Sequence, residues 1–296
     1  MSYDKLNVFH WHVVDDQSFP YPSRTFPNLT EFGAYSPSHR YSRNDVTRII
    51  REARLRGIRV IPEFDTPGHT HSWGKALPKL LTPCWGDGMD GGPYVPNYPL
   101  HGAAEVINPT EEYTYQVLET LYGEIVQDFP DEYVHLGLDE AYHACWKSNF
   151  EIADWMSRHN ISDYSRLEEY YIRRLTDIVT SHGAKYVIWQ DPVDKNVSIS
   201  KDSLVVVWKD SFNGPPGKFH PWQTYMSRVT AKGHKVVLAS PWYLNVISYG
   251  QDWRRYYVIE PTNFTDSDQS TRRLVQGGEA TVWTEYIDGT NILPLV

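Results

Sequence analysis

The sequence predicts an α/β protein built as a (β/α) barrel. Three observations carry that expectation. Short apolar runs alternate with amphipathic runs along the 296 residues, the pattern of parallel strands joined by helical crossovers. Seven such units in a chain of this length suit one large barrel better than a doubly wound sheet. No Gly-rich phosphate turn follows any of the strands, which disfavours a nucleotide-binding sheet.

In chain order, Leu6–Trp11 is apolar and reads as the first strand. Ser42 then caps a helix whose face carries Val46, Ile49, Ile50 and Ala53, and Gly57 stops it. Arg59–Glu63 is the second strand. A Gly/Pro-rich loop runs from about Trp85 to Gly102. Glu111–Phe129 reads as a helix, Tyr133–Gly137 as a strand, and Asn149–Arg158 and Tyr164–His182 as further helices. Tyr186–Trp189, Leu204–Trp208 and Lys235–Ala239 are three more strands. Helices are predicted over Pro221–Lys232 and Ser267–Val275, and the last strand over Glu279–Trp283.

In a barrel of this kind the active site lies at the C-terminal ends of the strands. The first strand ends in His10-Trp11-His12, followed by Asp15-Asp16. The second ends in Glu63-Phe64-Asp65, then Pro67-Gly68-His69. The third stops on adjacent acids, Asp139-Glu140. Later ends carry Trp189-Gln190-Asp191, Trp208, Trp242-Tyr243 with Asn245, and Trp283 with Glu285. Acids facing aromatic rings suit glycoside chemistry, because carboxyls act on the acetal while rings shape the pocket. Adjacent acids raise one another's pKa, which suits a general acid. Their Cα atoms are only about 3.8 Å apart, too close to flank one anomeric carbon as acid and nucleophile. A nucleophile supplied by the substrate is the reading that follows. Glu63 or Glu285 as a covalent nucleophile is an alternative. His10-x-His12 also resembles a metal pair, but the later strand ends offer Trp and Tyr in place of further His ligands. Packing and hydrogen bonding are therefore expected of His10 and His12, with no metal and no cofactor.

Composition narrows the classes. Net charge is −9 and no basic run is present, which argues against nucleic acid and anionic membranes as partners. No apolar run approaches a membrane span. Aromatics make up 14% of the residues, with 11 Trp and 21 Tyr, an excess that fits stacking against sugar rings as well as a Trp-rich core. Asn28, Asn160, Asn196 and Asn263 each open a glycosylation sequon. Together with two cysteines, Cys84 and Cys145, in predicted loops, they point to the secretory pathway. Met1–Lys5 does not read as a signal peptide.

Five motifs together carry a resemblance. They are His10-Trp11-His12-Val13-Val14-Asp15-Asp16-Gln17-Ser18-Phe19-Pro20, Glu63-Phe64-Asp65-Thr66-Pro67-Gly68-His69, His135-Leu136-Gly137-Leu138-Asp139-Glu140, Pro241-Trp242-Tyr243-Leu244-Asn245 and Glu279-Ala280-Thr281-Val282-Trp283-Thr284-Glu285-Tyr286. The chain resembles the family 20 β-N-acetylhexosaminidases, in particular the animal lysosomal enzymes, over nearly its whole length.

The resemblance implies a (β/α)8 TIM barrel, with residues 1–296 as one incomplete catalytic domain lacking the family's first strand and last helix. It implies a retaining, substrate-assisted exo-hydrolase acting on glycans that end in N-acetylhexosamine. A catalytically impaired carbohydrate-binding form is the alternative. Glu140 would be the general acid/base. Asp139 would hold the acetamido N–H, and Tyr243 its oxygen. Trp189, Trp208 and Trp283 would wall the acetyl methyl. Glu285 would bind sugar hydroxyls with Asn245 nearby, and Asp15 and His69 would orient the acid pair. Cys84 and Cys145 would form a disulfide. Dimers, and a lysosomal or secreted location, are implied in the same way. Two departures stand out: Leu138 occupies the second Gly of the family's Gly-Gly-Asp-Glu, and Val246 follows Asn245 where relatives acting on anionic substrates carry Arg.

Overall fold

The structure, a computed structural model, describes residues 1–84, 106–213, 217–246 and 250–295. The loop predicted from about Trp85 to Gly102 lies outside them. The chain divides into two compact units, Met1–Tyr186 and Val187–Val296.

The first unit is organised around three parallel strands in chain order: β1 (Val8–Val14), β2 (Arg59–Thr66) and β3 (Tyr133–Gly137). β1 runs three residues beyond its predicted end at Trp11. Every residue of β2 from Val60 to Thr66 is buried, and so is all of β3. That is expected of parallel strands covered on both faces. The helix Arg43–Arg54 starts where predicted, because Ser42 and Asp45 form a reciprocal capping box. Ser42 Oγ accepts the Asp45 N–H at 3.1 Å, and Asp45 Oδ2 accepts the Ser42 N–H at 2.8 Å. Gly57, at φ +71°, supplies the left-handed residue after it.

The helix Glu112–Asp128 buries Val117, Leu118, Leu121 and Ile125 along one face. Its Tyr122 hydroxyl donates to the Phe64 carbonyl at 3.0 Å, which fixes it against β2. Tyr21 packs edge-on against Phe64 with ring centroids 5.0 Å apart. A short helix, Pro27–Gly33, was not expected; it has too few turns to show a period. Cys84 and Cys145 are joined as a disulfide with Cα atoms 4.8 Å apart, inside a cluster that includes Trp146, Ile152, Met156 and Leu167.

In the second unit, the Val187–Trp189 part of β4 (Lys185–Trp189) pairs in parallel with β5 (Leu204–Val207). β5 pairs with β6 (Lys235–Leu238), and β6 with β7 (Val275–Gly278). The helix Trp222–Ala231 buries Tyr225, Met226 and Val229. The last strand differs from expectation. It is Val275–Gly278, and of the predicted Glu279–Trp283 strand only Thr281 makes a bridge, to Tyr243. The predicted helix Ser267–Val275 shrinks to Gln269–Arg272 behind an Asp268 cap. Gly277 and Gly278 look like strand breakers in sequence. Here a Cβ on Gly278 would run into the Trp242 indole, so the glycine lets β7 pass close to that ring. No helix among the described residues is long and apolar enough to cross a membrane.

Candidate active site

At the ends of β1, β2 and β3 the first unit assembles a chain of alternating acids and histidines. Strand register builds its deep end. Glu63 of β2 lies opposite His12 of β1 on one side and His135 of β3 on the other. The Glu63 side chain is fully buried. Its Oε2 sits 2.7 Å from His10 Nε2 and 2.7 Å from His12 Nδ1, and its Oε1 lies 3.2 Å from His135 Nδ1. The His10 and His135 rings stack at 4.3 Å. Burial would raise the Glu63 carboxyl, but the surrounding histidines hold it well below the usual carboxylate range.

The chain continues outward through His12, whose Nε2 lies 2.8 Å from Asp15 Oδ2. Burial opposes a charge on His12, yet Glu63 and Asp15 outweigh it and lift the imidazole to about 9. Asp15 Oδ1 lies 3.1 Å from His69 Nδ1. Burial acts against ionised Asp15 too, but hydrogen bonds to His12 and His69 depress its pKa. Asp15 is fixed further by its neighbours: its Oδ1 accepts the Asp16 N–H at 2.6 Å, and its carbonyl accepts the Ser72 hydroxyl at 2.6 Å.

His69 ends the chain. Its Nε2 faces Glu140 at 3.5 Å, Asp139 at 3.7 Å and Asp65 at 3.9 Å. Burial would lower its pKa; Asp65 and Asp139, with Asp15 and Glu140, raise it well above the ordinary value. Asp139 is largely covered, its side chain 13% exposed, whereas that of Glu140 is 57% exposed. The inner acid is thus held by protein, and the outer one is open to incoming molecules.

The backbone here is bent into unusual conformations. His69, Leu138 and Glu140 all have positive φ, at +58°, +72° and +48°. Non-glycine residues adopt this region at a cost, and such residues gather at functional sites. Leu138 therefore occupies a conformation that glycine would take freely, while its side chain is fully buried. Gly137, at φ +69°, cannot be replaced so simply, because a Cβ there would fall on the Asp65 carboxylate.

Asp65 was given no role in the sequence reading, although it lies near the end of β2. It is buried and hydrogen-bonds to Asp139. Burial first, and then the Asp139 charge, push its carboxyl well above the usual range. The upward push expected where acids crowd together thus acts on Asp65. His12 hydrogen-bonds as expected, and in doing so it joins Glu63 to Asp15. Register across strands creates both roles, and periodicity along one strand carries no signal for them.

Among the described residues, three groups of side chains have the composition of metal sites: His10-Glu63-His135, Asp15-Asp16-His69 and Asp65-His69-Asp139. The first is drawn too tightly. Bonds of about 2.0–2.1 Å around one tetrahedral ion would separate two ligand atoms by about 3.3 Å, whereas His10 Nε2 and Glu63 Oε2 are in hydrogen-bond contact at 2.7 Å. In all three groups, ligand atoms are engaged in histidine–carboxylate pairs. The same contacts occupy Glu63 as a covalent nucleophile: it is buried, and both its oxygens face histidines.

The second unit carries the Trp and Tyr residues singled out at the later strand ends. Trp189 at the end of β4 is buried and meets Trp283 with centroids 6.3 Å apart. Trp208, just after β5, is half-buried. Its Nε1 donates to Asp191 Oδ2 at 2.8 Å, and its backbone N–H donates to Gln190 Oε1 at 3.0 Å. Lys209 Nζ bonds the same Asp191 at 2.8 Å and Asp194 at 3.1 Å. Gln190 and Asp191 thus fix Trp208, a positioning role that the site reading had left unassigned. Tyr243 is buried beside the Thr281 bridge, Asn245 is half-buried and Glu285 is exposed. The sequon residues Asn28, Asn160, Asn196 and Asn263 are all exposed.

Parallel βα units that bring paired acids to a strand end have the form of a glycosyl hydrolase catalytic domain. The chain belongs to glycosyl hydrolase family 20: residues 1–296 match its catalytic domain. It is similar to β-hexosaminidase subunit beta of Homo sapiens, at 46% identity over 99% of this chain and 50% of that protein. β-Hexosaminidase subunit alpha of Bos taurus matches at 45% identity over 99% of this chain and 53% of that protein. The chain thus spans about half the length of the curated relatives it matches. Among solved structures, Flavobacterium johnsoniae chitobiase superposes with a TM-score of 0.80 at 26% identity, over 97% of this chain and 41% of that one. The Vibrio harveyi exo-β-N-acetylglucosaminidase in complex with N-acetylglucosamine gives 0.77 at 25% identity, over 97% and 47%.

Proposed function

We propose that the protein is a retaining exo-β-N-acetylhexosaminidase that uses the substrate's own acetamido group as nucleophile. The observation that carries this is His69, held by Asp15 on one nitrogen and facing Asp139 and Glu140 with the other. That arrangement suits one carboxyl as proton donor and its neighbour as a fixed anion.

In the first step Glu140 gives its proton to the glycosidic oxygen. The acetamido oxygen attacks C1 as the C1–O bond to the leaving group breaks, closing an oxazolinium ring. Asp139 accepts a hydrogen bond from the acetamido N–H and offsets the positive charge that develops on the ring. In the second step Glu140 takes a proton from water, and that water opens the ring at C1. Two inversions give net retention. Tyr243 bonds the acetamido oxygen, and Trp189, Trp208 and Trp283 wall the acetyl methyl. Asn245 and Glu285 serve the sugar hydroxyls. Substrates are glycans or glycolipids that end in β-linked N-acetylglucosamine or N-acetylgalactosamine.

The resemblance to animal lysosomal enzymes, with four exposed sequons and a disulfide, supports a lysosomal or secreted setting. Dimerisation rests on the same resemblance. The test is hydrolysis of an aryl N-acetyl-β-glucosaminide, with proton NMR following the anomer released first. Wild-type turnover with release of the β-anomer, abolished by Glu140→Gln, is the expected result. Equal turnover of the matching glucoside, which has no acetamido group, would overturn substrate assistance.

A further inference from the structure

We propose that Glu63 is a positioning residue for the acid pair, acting through His12, Asp15 and His69. The inference rests on the proposed hydrolase reading and extends it inward by two residues.

The argument is geometric. Glu63 to His12 is 2.7 Å, His12 to Asp15 is 2.8 Å and Asp15 to His69 is 3.1 Å. His69 then faces Glu140 at 3.5 Å and Asp139 at 3.7 Å. Each link uses a different nitrogen or oxygen of the residue it crosses. His12 spends Nδ1 on Glu63 and Nε2 on Asp15. Asp15 spends Oδ2 on His12 and Oδ1 on His69. A ring held at both nitrogens has one orientation and one protonation state, as does a carboxylate held at both oxygens. Rotational freedom is therefore removed link by link from the interior outward.

Packing alone does not explain Glu63. A buried carboxylate is costly unless paired, and an apolar residue would fill the space between three strands with less penalty. What the carboxylate adds is a negative charge that favours the protonated imidazole, in which both His12 nitrogens donate, one to Glu63 and one to Asp15. The groups facing Glu63 from the neighbouring strands are His10 and His12 of β1 and His135 of β3. Only His12 leads on to Asp15, and this difference allows a controlled test.

The experiment compares wild type, Glu63→Gln, His12→Gln, His10→Gln and Glu140→Gln on an aryl N-acetyl-β-glucosaminide across pH, with folding checked by circular dichroism. Glu63→Gln and His12→Gln should lower kcat by about 10- to 100-fold, as expected for misplaced reacting groups, with KM changed by less than about 3-fold. His12→Gln should also move the basic limb of the kcat profile to higher pH. Removing a cation from the chain makes the proton of the general acid harder to lose. His10→Gln takes a hydrogen bond from the same Glu63 oxygen but lies off the path, and should leave kcat and the limb near wild type.

Should Glu63→Gln fail to fold, His12→Gln decides alone. Wild-type kcat and pH profile in folded His12→Gln would overturn the proposal. So would equal losses in His10→Gln and His12→Gln, which would reduce Glu63 to a structural pocket. Retained turnover in Glu140→Gln marks a different failure: the assignment of Glu140 as general acid falls, and the relay built on it falls with it.

Discussion

The backbone N–H of Leu138 donates to Oδ1 of Asp65 across 3.1 Å. Through this bond the strand end carrying Asp139 and Glu140 is fastened to the neighbouring strand by a side chain. The bond exists because Leu138 and Gly137 both turn into the left-handed region.

Leu138 sets two effects against each other. Its positive φ costs about 1–2 kcal/mol relative to glycine, while its buried side chain contributes about 2–3 kcal/mol. Leu138→Ala should therefore destabilise by about 2–4 kcal/mol. Leu138→Gly should destabilise by about 1 kcal/mol less than Leu138→Ala, because glycine relieves the strain. Urea denaturation of the two variants checks the order. Alanine more stable than glycine would contradict the strained backbone.

Burial and the Asp139 charge push the Asp65 carboxyl toward its protonated form, in which it can donate a hydrogen bond to Asp139. An asparagine amide can donate in its place. Asp65→Asn should keep kcat within about 10-fold of wild type, whereas Asp65→Leu, which cannot donate, should lose about 100-fold or more. Steady-state kinetics on the two variants provides the comparison. Equal losses would show that Asp65 works as an anion.

His12 ties stability to pH. Its pKa rises from 6.5 to about 9 on folding. A raised histidine contributes stability that is fully present below the unfolded pKa and lost as pH climbs through the folded one. The contribution is about 3 kcal/mol near pH 6, and it fades between about pH 6.5 and 9. The stability gap between wild type and His12→Gln should shrink by that amount over this interval in chemical denaturation. A gap independent of pH would mean that His12 is not charged.

The disulfide closes a long segment, since Cys84 and Cys145 are 61 residues apart. Cys84→Ser combined with Cys145→Ser should cost about 2–4 kcal/mol, read as a lower melting temperature by calorimetry. Little loss of kcat is expected, because both sulfurs are buried in the Trp146 cluster, which contains none of the proposed reacting groups. An unchanged melting temperature would show that the segment is already constrained without the bridge.

Much of this was legible along the chain. The Ser42 cap and the Gly57 stop mark a helix through local chemistry alone. The acids ending β1, β2 and β3 stand out because strands seldom finish on charges. Glu63, His12 and Asp65 were harder to read, since Glu63 and His12 are 51 residues apart in sequence and meet only through strand pairing. β7 lies at Val275–Gly278 rather than Glu279–Trp283, where Gly278 lets the strand pass close to the Trp242 ring. Gln190 and Asp191 stood at a predicted strand end but carried no role in sequence, because their partner is distant along the chain. Their work is done on Trp208, 18 and 17 residues further along.

The pairing of Glu63 with His12 on one side and His135 on the other bears on how the chain finds its fold. A slip of one residue in β2 turns every side chain to the opposite face. Glu63 would leave its histidines, and Phe64 would stand where a carboxylate belongs. The slipped sheet would bury an unpaired anion, while the correct one neutralises it. The same carboxylate therefore serves as a key that admits one alignment of the three strands before any substrate arrives.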